Sequence, residues 1–447
     1  MSARRLFYLL NFGMLAAFAW AYRKDYDAEW KRYQKAYYVK TAEALERQAQ
    51  SVQDPEQAEA FRAEAKSWRR RPLEIKQIIA KDFRRFDRCI TCHVGMDEYA
   101  NPTLSNDFAE HPYKAHPGLG TIAKSHPFTK YGCTVCHAGQ GLAASVEDAH
   151  GFVHNWERPL LKGDLIQGSC VKCHANFETL KGAEVAAKGK QLFHRHGCQG
   201  CHSIRGAGGT ISEPLEAVYD KPFERISLYH FTKMAKGGKP IPREEWNVQN
   251  WILGHLLNDP MLVVPNDPFA KYNAEPIAPS GMPDFREEVG EEGALALGAY
   301  LMSMTAESIP ASYYVYAPPK PEPRFSDPLA HGKHVFQKYG CAGCHGLRGA
   351  QGRRNFNAMG PGQEDPEKDM DKGRVPTLVE TVGTFTREEL KQKISGGVSS
   401  INVNKFNPNG PTPPLYMPAW KDKIKDRELE DLATWLLSIA KKDESGF

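Results

Sequence analysis

Long runs of basic residues are missing from this sequence, and its positive and negative charges nearly balance. The 447 residues carry 58 Lys and Arg against 54 Asp and Glu, a formal net charge of +4. A protein that binds nucleic acid through bulk charge needs a much larger basic excess, so that class is excluded. The sequence also lacks a Walker-type phosphate loop, a dinucleotide-binding glycine fingerprint and a Gly-x-Ser-x-Gly nucleophile elbow. The sequence therefore gives no support for a nucleotide-dependent enzyme or a serine hydrolase.

Cysteine is missing everywhere except in one short pattern. All ten cysteines lie in five copies of Cys-x-x-Cys-His, which excludes a disulfide scaffold. The copies are Cys89-Ile-Thr-Cys92-His93, Cys133-Thr-Val-Cys136-His137, Cys170-Val-Lys-Cys173-His174, Cys198-Gln-Gly-Cys201-His202 and Cys341-Ala-Gly-Cys344-His345.

This repeated pattern is the attachment site of c-type haem. Two thiols three residues apart can each form a thioether to one vinyl group, and the adjacent His becomes the proximal iron ligand. An array of zinc sites is the alternative. Zinc, however, does not require a His directly after the second Cys of every motif, and sites built from two Cys pairs each would leave one of the five pairs unused. The sequence therefore predicts five covalently bound haem c groups, with all ten cysteines as thioethers and the five motif histidines on the irons.

The longest apolar run is at the N-terminus. Residues 6–22 are 17 uncharged and almost wholly apolar residues, preceded by Arg4 and Arg5. A spanning helix needs about 20 apolar residues, and leading arginines favour a cytoplasmic N-terminus. Because haem is attached to such motifs outside the cytoplasmic membrane, we predict export and a transmembrane anchor over residues 1–22. A cleaved signal peptide, with a small-x-small site at residues 17–19, is the alternative.

Residues 23–82 are highly charged and rich in helix-forming residues, so they predict a charged helical segment. Trp30, Tyr33 and Tyr37 form an aromatic stripe with near-helical spacing. Two roles are open for this stripe: it packs against the protein's own haem-binding part, or it docks on a membrane partner. Asp54-Pro55 predicts a helix boundary.

Residues 83–180 hold three motifs, which leaves roughly thirty residues per haem, too few for a packed domain around each. We therefore predict a loop-rich trihaem domain whose core is the haems themselves. Its only Met lies beside its own motif, whereas five non-motif histidines are present, so bis-His ligation is expected. The predicted distal ligands are His116, His126 and His150, with His111 and His154 as alternatives.

Two further segments, 184–306 and 325–441, share one order of features and are joined by a Pro-rich linker over 307–324. Each has a short helix leading into its motif, later a Met-Pro pair, and then a final helix. This order resembles that of a class I cytochrome c domain. The resemblance implies that Met282 and Met417 are the distal iron ligands of these two units.

The whole chain resembles a membrane-anchored pentahaem cytochrome c, such as the multihaem subunit of alternative complex III or of a bc-type quinol-oxidising complex. The predicted fold is accordingly mainly α: a transmembrane helix, a charged helical segment, a loop-rich trihaem domain and two class I cytochrome c domains. The resemblance places the haem domains on the periplasmic side of a bacterial cytoplasmic membrane. It implies a quinol-oxidising membrane complex as donor and other cytochromes c or a terminal oxidase as acceptors.

Electron relay is the function that these features predict, because every iron has a candidate sixth ligand from the protein. Met ligation raises the reduction potential relative to bis-His ligation, so electrons are expected to enter at the three N-terminal haems and leave through the class I units. A multihaem reductase with one five-coordinate haem is the rival hypothesis. A conduit to extracellular metals is a third, and the inner-membrane type of anchor argues against it.

Overall fold

Helices dominate the computed structural model of the chain, as the sequence predicts. The structure describes residues 2–96, 108, 110–154, 156–222, 226, 231, 235–236, 238–258, 282–318, 320–350, 352–353, 375–398 and 416–441. Its α-helices are α1 (Ala3–Tyr26), α2 (Glu29–Ser51), α3 (Pro55–Arg70), α4 (Ile122–Ser125), α5 (Phe128–Tyr131), α6 (Thr134–His137), α7 (Val146–His150), α8 (Gln167–Val171), α9 (Glu184–Arg195), α10 (Val248–Leu257), α11 (Arg286–Leu301), α12 (Pro328–Lys338), α13 (Ala342–His345), α14 (Leu378–Thr381), α15 (Arg387–Gly396) and α16 (Asp426–Ser438).

Strands are short and form antiparallel pairs. They are β1 (Ile78–Ala80) with β2 (Arg85–Asp87), β3 (Ser203–Ile204) with β4 (Ala207–Gly208), and β5 (Ala235–Lys236) with β6 (Lys239–Pro240). In the first pair Ile78 lies opposite Asp87. Asp87 is the last residue of β2, so this pair ends two residues before Cys89 of the first motif. The chain divides into two compact units, Met1–Val153 and His154–Phe447. The first unit contains two motifs and the second contains three.

The predicted transmembrane helix is wrong. Helix α1 does form over the apolar run, but within the described residues no helix is long and apolar enough to cross a membrane. The run of 17 residues is shorter than the roughly 20 that a span requires, and Asn11 and Gly13 interrupt it. The Asn11 side chain bonds the Phe7 carbonyl at 2.8 Å, which satisfies its amide within the helix but does not make the segment more apolar.

The charged segment folds into the helical hairpin α2–α3. Asp54 caps α3 by accepting a hydrogen bond from the Glu56 amide at 3.0 Å, at the predicted boundary. Tyr37 of α2 is buried, and its ring stacks on that of Phe108 with centroids 4.9 Å apart. Trp68 of α3 packs edge-on against the Tyr37 ring. Of the two roles that the sequence left open for the aromatic stripe, the structure therefore shows packing within the protein's own first unit.

Two similar helix crossings organise the second unit. Helix α9 crosses α11, and α12 crosses α16. A glycine lies at each crossing, Gly189 in α9 and Gly332 in α12, and each stands nine residues before the first Cys of its motif. A Cβ on Gly189 would overlap the Ala296 carbonyl, and one on Gly332 would overlap that of Asp431. Glycine is therefore required for both close approaches, and the matching positions support an internal duplication.

Candidate haem sites

All five motifs fold into the same turn. In each, the histidine amide donates to the carbonyl of the first cysteine, and the second cysteine amide donates to the same carbonyl, as one turn of helix requires. The histidine bonds measure 2.9 Å at His93, 2.9 Å at His137, 2.9 Å at His174, 3.0 Å at His202 and 3.0 Å at His345. None of the ten cysteines forms a disulfide. This turn places both thiols of a motif near one face and its imidazole beside them, as haem attachment requires.

The motif histidines of the class I units are held with one nitrogen ready for a metal. The Nδ1 of His202 lies 2.8 Å from the Glu213 carbonyl oxygen, and the Nδ1 of His345 lies 3.1 Å from that of Pro376. A carbonyl only accepts, so Nδ1 carries the proton in both rings and Nε2 keeps its lone pair. Burial lowers the pKa of both imidazoles, which keeps them neutral. Outer hydrogen bonds of this kind orient metal-bound histidines.

A cavity of about 570 Å³ lies against the last motif. Cys341, Cys344 and His345 line one part of its wall and Met417 another, with the apolar side chains of Phe336, Leu390 and Trp420 among the rest. Apolar walls with a few convergent ligands are typical of cofactor sites of this size. Two thiols, an imidazole and a thioether around such a space match what haem c needs, so the residues present fit the cofactor.

The backbone fixes Met417 at that wall. The Met417 carbonyl accepts from the Val398 amide at 2.9 Å, where the two residues form an isolated antiparallel bridge. Gly397, with φ of +69°, precedes that bridge, and a Cβ there would lie 2.6 Å from the Met417 oxygen. In the other class I unit, Met282 is half-buried and lies three residues before the buried Phe285, whose ring faces His196 at 6.2 Å.

In the first unit, the structure brings several histidine rings together. The rings of His93 and His111 have centroids 6.3 Å apart, His93 and His150 also 6.3 Å, and His137 and His116 6.1 Å. Two imidazoles on opposite faces of one iron, with metal–nitrogen bonds of about 2.0 Å, have centroids about 6 Å apart. His93 therefore has two candidate partners at ligation distance, and His137 has His116.

Burial also keeps the two motif rings, His93 and His137, neutral and able to bind iron. It lowers the pKa of His93 and of His137 to about 4 in each case, and His150 and His111 lower that of His93 further by repulsion. His126, the third predicted distal ligand, lies differently. Its ring packs edge-on against Tyr131 at 4.9 Å, and its Nδ1 lies 3.0 Å from the Ile122 carbonyl oxygen.

The third motif belongs to the second unit, not to the part that holds the first two motifs. Gly168 of α8, two residues before Cys170 of this motif, lies so close to α11 that an added Cβ would overlap the Ala299 carbonyl oxygen. The Cys173 carbonyl accepts from the Val315 amide at 2.8 Å, and Lys172 forms an ion pair with Glu307 at 3.4 Å. The Pro-rich linker is thus docked along the third motif instead of hanging free between domains.

Several residues that hold the motifs have no signal in the sequence. Asp87 is fully buried, and its Oδ2 accepts from the Cys133 amide at 2.6 Å and the Thr134 amide at 3.2 Å. Gln34 of α2, also fully buried, bonds both backbone groups of Glu74 on the segment that leads to the first motif. Both side chains act over 40 or more residues of chain, so only the folded structure reveals them.

A cluster of charged side chains, with His196 and Arg353 buried and Glu288 partly exposed, joins the two class I units. Glu288 of α11 forms ion pairs with Arg353 and with His196, whose Nδ1 lies 3.3 Å from Glu288 Oε2. Burial raises the pKa of Glu288, but the hydrogen bonds and charges of His196 and Arg353 outweigh it, so the net pKa is lowered.

We predict that this cluster makes stability depend on acid pH. A carboxylate with a lowered folded pKa stabilises fully above its unfolded pKa, about 4.3, and this contribution is lost as pH falls through the folded value. Because solvent screens the partly exposed Glu288 carboxylate, Glu288→Gln should lower the free energy of unfolding by only about 0.5–1 kcal/mol at pH 7 and flatten its decline below pH 4.3. Glu292→Gln, which removes an exposed ion pair with Lys188 from the same helix, is the control and should change neither. Denaturant unfolding at pH 7 and pH 4 measures both, and identical pH profiles for wild type and Glu288→Gln would contradict the assignment.

Comparison with known proteins agrees with this geometry. The sequence profile of the cytochrome c family matches residues 186–305 and again 329–440, which together exceed half of the chain. The protein therefore belongs to the cytochrome c family, with two class I domains and covalently bound haem c. Neither a curated protein nor a solved structure matches the chain.

Proposed function

We propose that this cytochrome c binds five haems and relays electrons from a quinol-oxidising integral membrane complex to other cytochromes c or a terminal oxidase, outside the cytoplasm. The supporting observation is that all five motif turns have the same hydrogen-bonded geometry, including the three that lie outside the matched family regions. Haem held at these turns supplies reversible one-electron storage at iron.

At two of the turns, the side chains nearby are suited to relay and not to substrate binding. In the last unit, His345 and Met417 both line one cavity, and in the first unit His137 and His116 stand at the separation that one iron bridges. Two protein ligands on an iron leave no open position for substrate and need little rearrangement when the electron moves. The predicted order of potentials, lower at bis-His and higher at His/Met irons, directs electrons toward the class I domains.

Intact mass tests the number of haems. Mature protein should exceed the 50.1 kDa of the chain by five haem groups, with no titratable thiol after denaturation, because thioethers consume all ten cysteines. Detection of four or fewer haems in fully matured protein would overturn the count.

The donor is tested by purification from native membranes in mild detergent. A quinol-oxidising complex should accompany the protein, and quinol should reduce the haems only when that complex is present. Turnover of nitrite or peroxide by the isolated protein, together with one haem that already binds carbon monoxide, would instead support a reductase.

A further inference from the structure

The two class I domains meet through their haem-attachment loops. We propose that this contact positions the two haems edge to edge as a directly coupled pair, with Gly200, Gly343, Cys201 and Cys344 as the positioning residues. The inference rests on the proposed electron relay and adds the route between its last two haems. With haem held at both loops, one electron would pass from the ferrous group of one domain to the ferric group of the other, with no bond made or broken and no proton transferred.

A shared sequence makes this contact possible. Both loops read Gly-Cys-x-Gly-Cys-His, beginning at Gly197 and at Gly340. The contact is reciprocal: a Cβ added to Gly200 would lie 2.5 Å from the Gly340 carbonyl oxygen, and one added to Gly343 would lie 2.5 Å from that of Gly197. Real Cβ atoms do not approach so closely, so the two backbones touch only because all four positions lack a side chain. We call this contact the glycine seam.

The sulfur atoms of the two motifs meet at the same place. The side chains of Cys201 and Cys344, the second cysteine of each motif, lie within hydrogen-bonding distance of one another across the glycine seam. In haem c each cysteine sulfur is bonded to a side chain at the porphyrin edge. Two neighbouring sulfurs therefore bring the edges of the two porphyrin rings close together. The cavity of the last motif agrees, because Gly200 and Ile211 of the other class I domain form part of its wall.

Side chains around the seam hold the two loops together. Gln199, which is buried between the loops, donates from Nε2 to the Gln337 carbonyl at 2.8 Å. Lys423 donates to the Gly208 carbonyl at 3.0 Å, and the Glu288–Arg353 ion pair closes a further side. These bonds join one class I domain to the other, so the pair of loops is a built interface and not a chance approach.

The first unit repeats the same arrangement with different residues. The side chains of Cys89 and Cys133, the first cysteine of each of its motifs, also lie within hydrogen-bonding distance of one another. The Asp87 carboxylate holds the second loop there, and the Arg88 amide donates to the Gly141 carbonyl at 2.7 Å. Corresponding cysteines meet in both units, which independently supports sulfur-to-sulfur pairing as the way this chain brings haems together.

The test uses the full-length holoprotein. Gly200→Ala and Gly343→Ala each add one methyl group at the seam, at positions whose backbone φ is not positive, so the alanine itself is not strained. Gly396→Ala is the matched control, because nothing lies within 4 Å of its added Cβ. Two signals are compared: the exciton couplet of the haems in Soret circular dichroism and spin coupling between the ferric His/Met haems in electron paramagnetic resonance. Pulse radiolysis then measures the rate of exchange between the two haems.

We expect both seam variants to weaken the couplet and the spin coupling and to slow exchange several-fold, with five haems retained and the control unchanged. Wild-type signals and rates in seam variants that keep their haems would overturn the pairing. Should the alanine variants fail to fold, the wild-type protein decides: magnetically isolated His/Met haems would overturn the proposal. Reduction of all haems by the donor complex is scored separately, so loss of coupling with intact reduction leaves the relay function standing.

Discussion

Met417→Ala is expected to open one haem iron to carbon monoxide and to lower the reduction potential of that haem. Met417, the proposed sixth ligand, lines the cavity that His345 also lines, so its removal should leave that iron with an open position. Methionine ligation raises the potential of a haem, so its loss should shift the potential downward by a substantial part of the roughly 0.8 V that axial ligands span. Carbon monoxide difference spectra and a redox titration of the full-length protein measure the two effects.

Met302→Leu is the control for this experiment. Met302 is buried at the end of α11, and the change conserves its volume, so carbon monoxide should still find no open iron. The near-infrared sulfur-to-iron band of one haem should disappear in Met417→Ala and persist in Met302→Leu. A wild-type protein that binds carbon monoxide stoichiometrically, or a Met417→Ala variant that does not bind it, would contradict ligation by Met417.

Gly332→Val is expected to destabilise the C-terminal domain strongly. A Cβ at this position would overlap the Asp431 carbonyl and approach the Trp435 Cβ to 2.7 Å, at the crossing of α12 and α16. Relief of such an overlap requires the helices to separate, and overpacking of this kind costs about 1–3 kcal/mol or more. Thermal unfolding followed by the haem absorption of this domain measures the loss.

Gly396→Ala again provides the comparison, because its added methyl group meets open space at the end of α15. Alanine is the better helix former, so this variant should match or slightly exceed the wild-type stability. Equal stability of Gly332→Val and wild type would show that the crossing does not depend on this glycine.

The difference between local and long-range interactions explains which sequence predictions were confirmed. The helix boundary at Asp54 and the two class I domains depend on short patterns, because a cap or a motif turn needs only neighbouring residues. The transmembrane prediction was wrong because no described helix, including the one over residues 6–22, is long and apolar enough to cross a membrane. The role of the aromatic stripe around Tyr37 was open, since a stripe does not identify its partner, here Phe108 and Trp68.

The distal histidines illustrate the limit of sequence reasoning in more detail. Five candidates lie within 44 residues, and nothing in their spacing says which ring faces which motif. The fold places His116 opposite His137 and brings both His111 and His150 to His93, while His126 turns toward Tyr131. Such pairings depend on how loops close over long stretches of chain, which has no periodic signature.

The haem chemistry of this protein can be predicted from its amino-acid order, because haem attachment needs only two thiols and an imidazole within one turn, and those residues are adjacent in the chain. How the attachment loops meet, in contrast, is visible only in the folded protein. Gly200 and Gly340 are ordinary motif glycines until the fold places them in contact, and Asp87 and Arg353 become important only through partners far along the chain. Contacts of that kind depend on the packing of whole domains, which no local pattern encodes.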